Sequence, residues 1–92
     1  MLKKYKIRSN IIIDVIEDEM VVTDEQSEAL VVLNSTASLL LHFIDEGTEL
    51  KEDLQQRWLN TDWYDVPSDV DLNIVFEQCL TQLVECGLVE LR

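Results

Sequence analysis

The chain changes its hydrophobic periodicity once, near residue 34, and this change limits the fold more than any other feature. Before that point the apolar residues form short β-branched runs, Ile11–Ile16, Met20–Thr23 and Ala29–Leu33, separated by polar stretches of three and five residues. Such runs are typical of strands joined by hairpin connections. Beyond residue 34 apolar residues recur every three or four positions, as in amphipathic helices. The sequence therefore predicts an α+β domain in which a three-stranded antiparallel sheet precedes the helices.

The first two predicted helices follow the strands directly. Asn34 or Ser35 is a suitable N-cap for the first helix, and Gly47 can adopt the left-handed conformation that ends one. Thr48 is the predicted N-cap of the second helix. The apolar residues of this second helix recur every four positions and form one stripe: Leu50, Leu54 and Trp58.

The third predicted helix follows the only proline in the chain. Pro67 and the spacing Ser68-x-x-Asp71 are typical of a helix N-terminus, and Cys86-Gly87 is a suitable end. Three strands and three helices make the predicted fold winged-helix-like, in a single domain over residues 10–92. The main apolar stripe of this helix consists of Leu72, Phe76, Cys79, Leu80 and Leu83.

The net charge of −12 is distributed unevenly. The first eight residues contain four basic side chains and no acid, whereas the other 84 residues carry three basic and nineteen acidic side chains, a net charge of −16. Nucleic acids bind proteins through Lys and Arg that neutralise phosphates, so this charge argues against a nucleic-acid partner and against a winged-helix nucleic-acid binder. We expect residues 1–9 to form a basic N-terminal arm that is a solvated tail.

The sequence contains no apolar run of about 18 residues. This absence argues against a membrane span or a signal peptide and favours a cytoplasmic protein.

Residues that carry out chemistry are few. Cys79 and Cys86 are seven positions apart in one predicted helix, a distance of about 10 Å, which is too long for a disulfide. His42 is the only histidine, and no metal-ligand or phosphate-loop spacing is present. We therefore expect no enzymatic activity, no cofactor and no metal site.

The run from Ala29 to Leu33 is apolar throughout. A strand with one solvated face should alternate apolar and polar side chains, and this run does not. Exposed strand edges are normally protected by Lys, Pro or a covering element, and the run contains neither of these residues. The strand is therefore either central in its sheet or open at its edge to another strand, which is a recurrent way of binding extended peptides.

The stretch TDEQSEALVVLNSTASLLLHFIDEG (residues 23–47) resembles the PqqD family, also described as the RiPP recognition element, where RiPP denotes a ribosomally made and post-translationally modified peptide. The resemblance extends from about Ile11 to Leu91, and YDVP before the third helix also fits it. In the first half the shared pattern is an acidic turn, a strand ending in Leu-Asn, and a helix that begins with small residues and stops at glycine: Asp24, Glu25, Leu33, Asn34, Thr36, Ala37, Leu40 and Gly47. In CLTQLVECGLVEL the matching positions are Leu80, Leu83, Gly87 and Leu88.

The chain departs from the family pattern at several positions. Glu28 stands where many members have glycine, and Leu30 and Val31 stand where aromatic residues are common. Leu41 replaces a frequent Trp, and Cys79 a frequent Phe. The Tyr-Pro and Pro-Glu-Gly residues of cofactor-pathway members are missing, which favours a member that serves another class of peptide.

The resemblance implies a groove, between the third strand and the third helix, that holds the leader segment of a precursor peptide as an added strand. The chain would be a stand-alone chaperone for this leader and would deliver it to a modifying enzyme, such as a radical S-adenosylmethionine enzyme, a cyclase or a leader peptidase. The candidate peptide-binding residues are Glu28, Ala29, Leu30, Val31, Val32 and Leu33 in the strand and Leu72, Val75, Phe76 and Cys79 in the helix.

Two alternatives stay open at this point. Each candidate helix residue could belong to the core instead of the groove, and Val75, next to the main apolar stripe, is the preferred groove residue. At the level of function, a self-associating structural or regulatory subunit is the alternative, because an open strand edge also permits a homodimer.

Overall fold

The computed structural model describes residues 3–17, 19–28, 30–61 and 69–92. Two antiparallel sheets and three helices make up this part of the chain, which confirms the predicted α+β class with a three-stranded sheet followed by three helices. In chain order the elements are β1 (Tyr5–Ile7), β2 (Ile11–Ile16), β3 (Glu19–Asp24), β4 (Leu30–Leu33), α1 (Ser35–Asp45), α2 (Lys51–Leu59), α3 (Leu72–Glu85) and β5 (Val89–Leu91).

The larger sheet has the strand order β2-β3-β4, so β3 is central and the other two strands are edges. Ile13 pairs with Val22, which pairs in turn with Val31. Glu17, directly after β2, has a φ of 50°, in the left-handed region that tight hairpin turns commonly require. The three predicted strands are therefore present in the expected order.

The smaller sheet joins the two ends of the described chain, which we did not expect. β1 pairs with β5 through Tyr5 opposite Leu91 and Ile7 opposite Val89. A solvated tail was therefore the wrong expectation for residues 5–7. The reason is non-local, since Tyr5 and Ile7 pack against the core only after β5 has been placed beside them.

The N-cap residue of α1 is one of the two predicted from the sequence, whereas the N-cap residue of α2 is not the predicted one. The Asn34 side chain accepts a hydrogen bond from the Ala37 N–H at 2.9 Å, and Gly47, after the helix, has a φ of +108°. At α2 the N-cap residue is Leu50, with no side-chain hydrogen bond. The Thr48 hydroxyl instead accepts a hydrogen bond from Arg57 Nη1 at 2.8 Å, so the predicted Thr48 cap is wrong.

The third helix begins at Leu72 and is capped by Asp71, whose carboxylate accepts a hydrogen bond from the Asn73 N–H at 3.0 Å. The predicted contribution of Pro67 and Ser68 falls outside the described residues. The helix ends where expected, because Cys86 is its C-cap and Gly87 follows with a φ of 78°.

One hydrophobic core lies where the three helices meet the sheets. At its centre the rings of Trp58 and Phe76 have centroids 5.8 Å apart, and both side chains are fully buried. Met20 and Val22 cover the core from the larger sheet, and Val89 from the smaller one. Burial of a large apolar side chain stabilises a fold by roughly 1.5–3 kcal/mol, so these contacts hold α3 firmly against its neighbours.

Candidate functional site

β4 is an open edge of the larger sheet. Within the described part of the chain, only β3 is hydrogen-bonded to it. Alternate backbone N–H and C=O groups of an edge strand point away from its neighbour, where another strand can pair with them. The backbone of Leu30–Leu33 is therefore available for strand addition.

The side chains of β4 are all apolar, but exposed and half-buried side chains alternate along the strand. Leu30 and Val32 are 63% and 53% exposed, whereas Val31 and Leu33 are half-buried on the other face. The core thus covers one face of the apolar strand, and within the described residues the other face is open to solvent.

A pocket of about 200 Å³ lies between β4, the start of α1 and the C-terminal half of α3. Its walls are mainly aliphatic, with the amides of Asn34 and Gln82 and the thiol of Cys86 as polar groups. This composition suits one large, uncharged side chain of a bound peptide. The lining residues are Val31, Val32, Leu33, Asn34, Ala37, Gln82, Leu83, Cys86 and Leu88.

A row of side chains on α3 continues from this pocket toward the helix N-terminus and marks the course of a candidate groove. Val75, Cys79, Gln82 and Cys86 are separated by four, three and four residues, which places them on one side of a helix. Gln82 and Cys86 line the pocket, and Cys79 and Val75 continue the same row toward the helix N-terminus. We call these four residues the groove row.

The four candidate residues of α3 occupy different positions. Val75 and Cys79 belong to the groove row by their spacing, but Cys79 is also buried in the core cluster and Val75 is half-buried against it. Phe76 is fully buried against Trp58, a position that matches the core alternative, and Leu72 is half-buried against the core. By helical geometry Val75 and Cys79 lie on the side of α3 that carries Gln82 and Cys86, whereas Phe76 lies on the side of Leu83, which both lines the pocket and packs in the core.

The candidate residues before β4 lie at one end of the groove. Glu28 is exposed and has a φ of 58°, in the left-handed region that favours glycine. Glycine adopts this conformation without the strain that a Cβ atom causes. Ala29 lies outside the described residues.

Sequence reasoning did not name six of the pocket-lining residues as binding residues: Asn34, Ala37, Gln82, Leu83, Cys86 and Leu88. A signal for two of them was present, because counting from Val75 in steps of four and three reaches Gln82 and Cys86. It was overlooked because the stronger apolar stripe of α3 belongs to the core.

Thr36 links the walls of the groove. Its hydroxyl accepts a hydrogen bond from Cys79 Sγ on α3 at 3.5 Å and donates one to Asn34 Oδ1 at 2.8 Å. Its backbone carbonyl accepts a hydrogen bond from Trp58 Nε1 on α2 at 3.1 Å. The start of α1, which continues directly from β4, is therefore tied to α2 and α3, and these bonds help to set the spacing of the groove.

The face of the larger sheet that points away from the core carries exposed apolar side chains and one charge. Ile12 and Leu30 are exposed in the cross-strand row of Thr23, and Val32 is exposed in the row of Val21, which also contains the exposed Asp14. Contiguous exposed apolar side chains on a small domain are characteristic of protein interaction surfaces. We call this surface the outer sheet face.

The described residues contain no cluster of three or more His, Cys, Asp or Glu side chains suited to a metal ion. His42 lies on the surface of α1, where its Nε2 atom is 3.0 Å from Glu46 Oε1. Both cysteines are free thiols. Among the helices in the described ranges, none has the length and apolar character needed to cross a membrane.

No model of a known protein family matches the sequence, and no curated protein matches it. The fold, however, is similar to those of two solved structures that contain a bound peptide. One is TbiB1 in complex with the TbiA(β) leader peptide, with a TM-score of 0.72 and 22% identity over 92% of this chain and 94% of that one. The other is a lasso peptide synthetase B1 complexed with the leader peptide, with a TM-score of 0.71 and 24% identity over 94% and 96% of the two chains. At these identities the similarity establishes the fold.

Proposed function

We propose that this chain is a RiPP recognition element that binds the leader of a ribosomally made precursor peptide and presents it to a modifying enzyme in the cytoplasm. The observation that carries the proposal is the open β4 edge, with the pocket and the groove row of α3 beside it. The fold supports it, because both similar structures are complexes with leader peptides.

The backbone of β4 and the pocket contribute different parts of recognition. A leader added as a strand beside Leu30–Leu33 forms main-chain hydrogen bonds that supply affinity without regard to sequence. Alternate leader side chains then point toward the core side of the sheet, where α3 forms the far wall. The pocket of about 200 Å³ takes one of these side chains and contributes selectivity.

The outer sheet face supports the second half of the proposal, delivery to an enzyme. It lies across the sheet from the side that faces the core and shares Val32 with the pocket, so a protein docked over Ile12 and Leu30 leaves the groove row accessible. The chain itself performs no chemistry in this proposal. The enzyme is a separate protein, and a radical S-adenosylmethionine enzyme, a cyclase and a leader peptidase are the candidates.

The direct test is a titration of the isotope-labelled chain with a synthetic leader of a candidate precursor peptide, followed by amide chemical shifts. We expect the largest shifts at residues 30–33 and along the groove row. A shift pattern confined to β2, or no saturable shifts at all, would contradict strand addition to β4.

A homodimer through the β4 edge would occupy the same backbone groups as the leader. Mass in solution, measured with and without leader peptide, separates the two functions. We expect a monomer that binds one leader. A stable dimer that the leader does not dissociate would instead support the self-associating subunit.

A further inference from the structure

We propose that the groove selects leaders that carry Lys or Arg on either side of their uncharged anchor residue. This inference rests on the proposed function and names the chemistry of the peptide that the groove takes. It follows from where the charges lie in the fold, which the net charge alone does not reveal.

Both walls of the groove come from segments without basic residues. The chain has no Lys or Arg between residues 9 and 50 or between residues 58 and 91. The first segment contains the larger sheet and α1, and the second contains α3 and β5. A leader held in the groove therefore lies between two surfaces whose charged side chains are all acidic.

Most of the basic side chains lie elsewhere, in ion pairs. Lys4 and Lys6 contact Glu49 at 3.8 and 3.6 Å. Lys51 contacts Glu77 at 2.8 Å, on the side of α3 opposite to the groove row. The remaining pairs are Arg57 with Glu46 and Arg92 with Glu90.

Arg8 is a basic residue close to the pocket. Its N–H donates a hydrogen bond to the carbonyl of the pocket residue Leu88 at 3.1 Å, and its Nη1 atom lies 3.9 Å from the position that a Cβ atom would occupy on Gly87, just beyond α3. Unpaired carbonyl groups give a helix C-terminus a partial negative charge, which offsets part of the charge of this guanidinium. Arg8 is therefore a single basic exception at the C-terminal end of α3.

Acidic residues lie at both ends of β4 and beside the groove row. Glu19 borders a second pocket together with Leu33 and Asn34, and Glu28 is exposed just before the strand. On the helix, Glu85 follows Gln82 by three positions, and Asp71 precedes Val75 by four, so both acids lie next to the row.

The pocket itself is lined only by uncharged residues. An anchor side chain in the pocket thus meets apolar and amide groups, and charges on the flanking leader residues meet carboxylates. Exposed charge pairs contribute modestly to affinity and strongly to association rate, and salt screens them. Basic flanks should therefore strengthen binding at low ionic strength, and acidic flanks should weaken it.

The test compares two synthetic peptides, the native leader of a candidate precursor peptide and the same leader with every Lys and Arg replaced by Gln. In about 20 mM NaCl we expect the native leader to bind roughly tenfold more tightly, and in about 500 mM NaCl we expect a difference below about twofold. A native leader without basic residues, or equal affinities at low salt, would overturn the inference.

Two matched protein variants locate the effect. The double change Glu28→Gln and Glu85→Gln removes acids next to the groove, and Asp45→Asn with Glu52→Gln removes two exposed acids on α1 and α2. Both raise the net charge by two. We expect only the first pair to weaken binding of the native leader several-fold, and equal losses in both pairs would overturn the assignment to the groove.

The same titrations separate this inference from the proposed function. If neither leader shifts the amides of β4, the proposed function fails. If both leaders shift them with equal affinity, leader binding stands and only the selection of basic leaders is overturned.

Discussion

The larger sheet has two open edges, β2 and β4, and only β4 has the features of a binding site. Both strands are rich in β-branched residues, and both have exposed side chains. β2 contacts chiefly β3 and carries Asp14 in its middle, a charge of the kind that protects an edge from further pairing. β4 carries no charge and faces a pocket with α3 as its far wall.

The comparison shows that unpaired backbone groups alone do not make a peptide site. A strand added to either edge gains similar main-chain hydrogen bonds, and these bonds do not read the sequence of the peptide. Selectivity requires a second wall that the added side chains can reach, and α3 provides this wall only beside β4. Five predictions follow, in order of decreasing expected effect.

Proline substitution compares the two edges directly. Successive N–H groups of β4 point alternately toward β3 and outward, so only one of the variants Val31→Pro and Val32→Pro removes an outward N–H. We expect this variant to stay folded and its affinity for the leader to fall by about a hundredfold or more. Asp14→Pro and Val15→Pro are the matched control variants on β2. The one of these two that stays folded should bind the leader with the affinity of the wild type. Isothermal titration measures affinity, and circular dichroism confirms folding. Equal losses at both edges would contradict β4 as the site.

The second prediction compares two sides of α3. Phe76→Ala removes a fully buried ring in contact with Trp58 and should lower the free energy of unfolding by about 3–5 kcal/mol. Val75→Ala, in the groove row, should lower it by about 1 kcal/mol or less and weaken leader binding several-fold. Denaturant unfolding and titration of each variant provide the measurements. A Val75→Ala variant with unchanged affinity would remove this residue from the groove.

The third prediction concerns the link between the walls. Thr36→Val keeps the shape of the side chain and removes the hydroxyl that contacts Cys79 and Asn34, whereas Thr36→Ser keeps the hydroxyl. We expect Thr36→Val to weaken leader binding several-fold and Thr36→Ser to restore most of the affinity. Titration at a temperature where both variants are fully folded tests this positioning role. Parallel losses in stability and affinity for both variants would indicate a purely structural residue.

The fourth prediction compares the loops that precede β3 and β4. Glu17 and Glu28 both have positive φ values, which cost free energy for residues other than glycine. Glu17→Gly and Glu28→Gly should each raise the free energy of unfolding by up to about 1 kcal/mol, as denaturant unfolding can measure. Only Glu28→Gly also removes a charge beside the groove, so it alone should reduce the affinity for a basic leader.

The smallest effect is expected at the turn between β3 and β4, as a function of pH. The Asn10 side chain donates a hydrogen bond to Asp24 Oδ1 at 2.6 Å and the Gln26 N–H another at 2.9 Å, and together they lower the pKa of Asp24. Because the folded pKa is the lower one, this contribution is present above the usual pKa of Asp and is lost as the pH falls through the lowered value. The stability difference between wild type and Asn10→Ala should therefore shrink from pH 7 to about pH 3. A difference that stays constant between these pH values would contradict the role of the hydrogen bond.

Features set by neighbouring residues were predictable. The three strands, the Asn34 cap and the Gly47 stop depend on side chains within a few positions of one another, and the structure confirms them. Thr48 was misread because its hydroxyl has a competing partner, Arg57, nine positions away. Local capping rules do not include such a partner.

The type and order of most elements follow from the amino-acid sequence alone, because periodicity and capping are local properties. The excess of acidic residues in the segments on either side of the groove and the lack of charged residues in β4 can also be read directly from the sequence. The pairing of β1 with β5, and the placement of Gln82 and Cys86 in one pocket with β4, depend instead on tertiary contacts. The rotation of α3 depends on Phe76 packing against Trp58 and on the bond from Cys79 to Thr36, contacts that join distant parts of the chain. Periodicity separates the two sides of this helix, and packing alone determines which of them faces the groove.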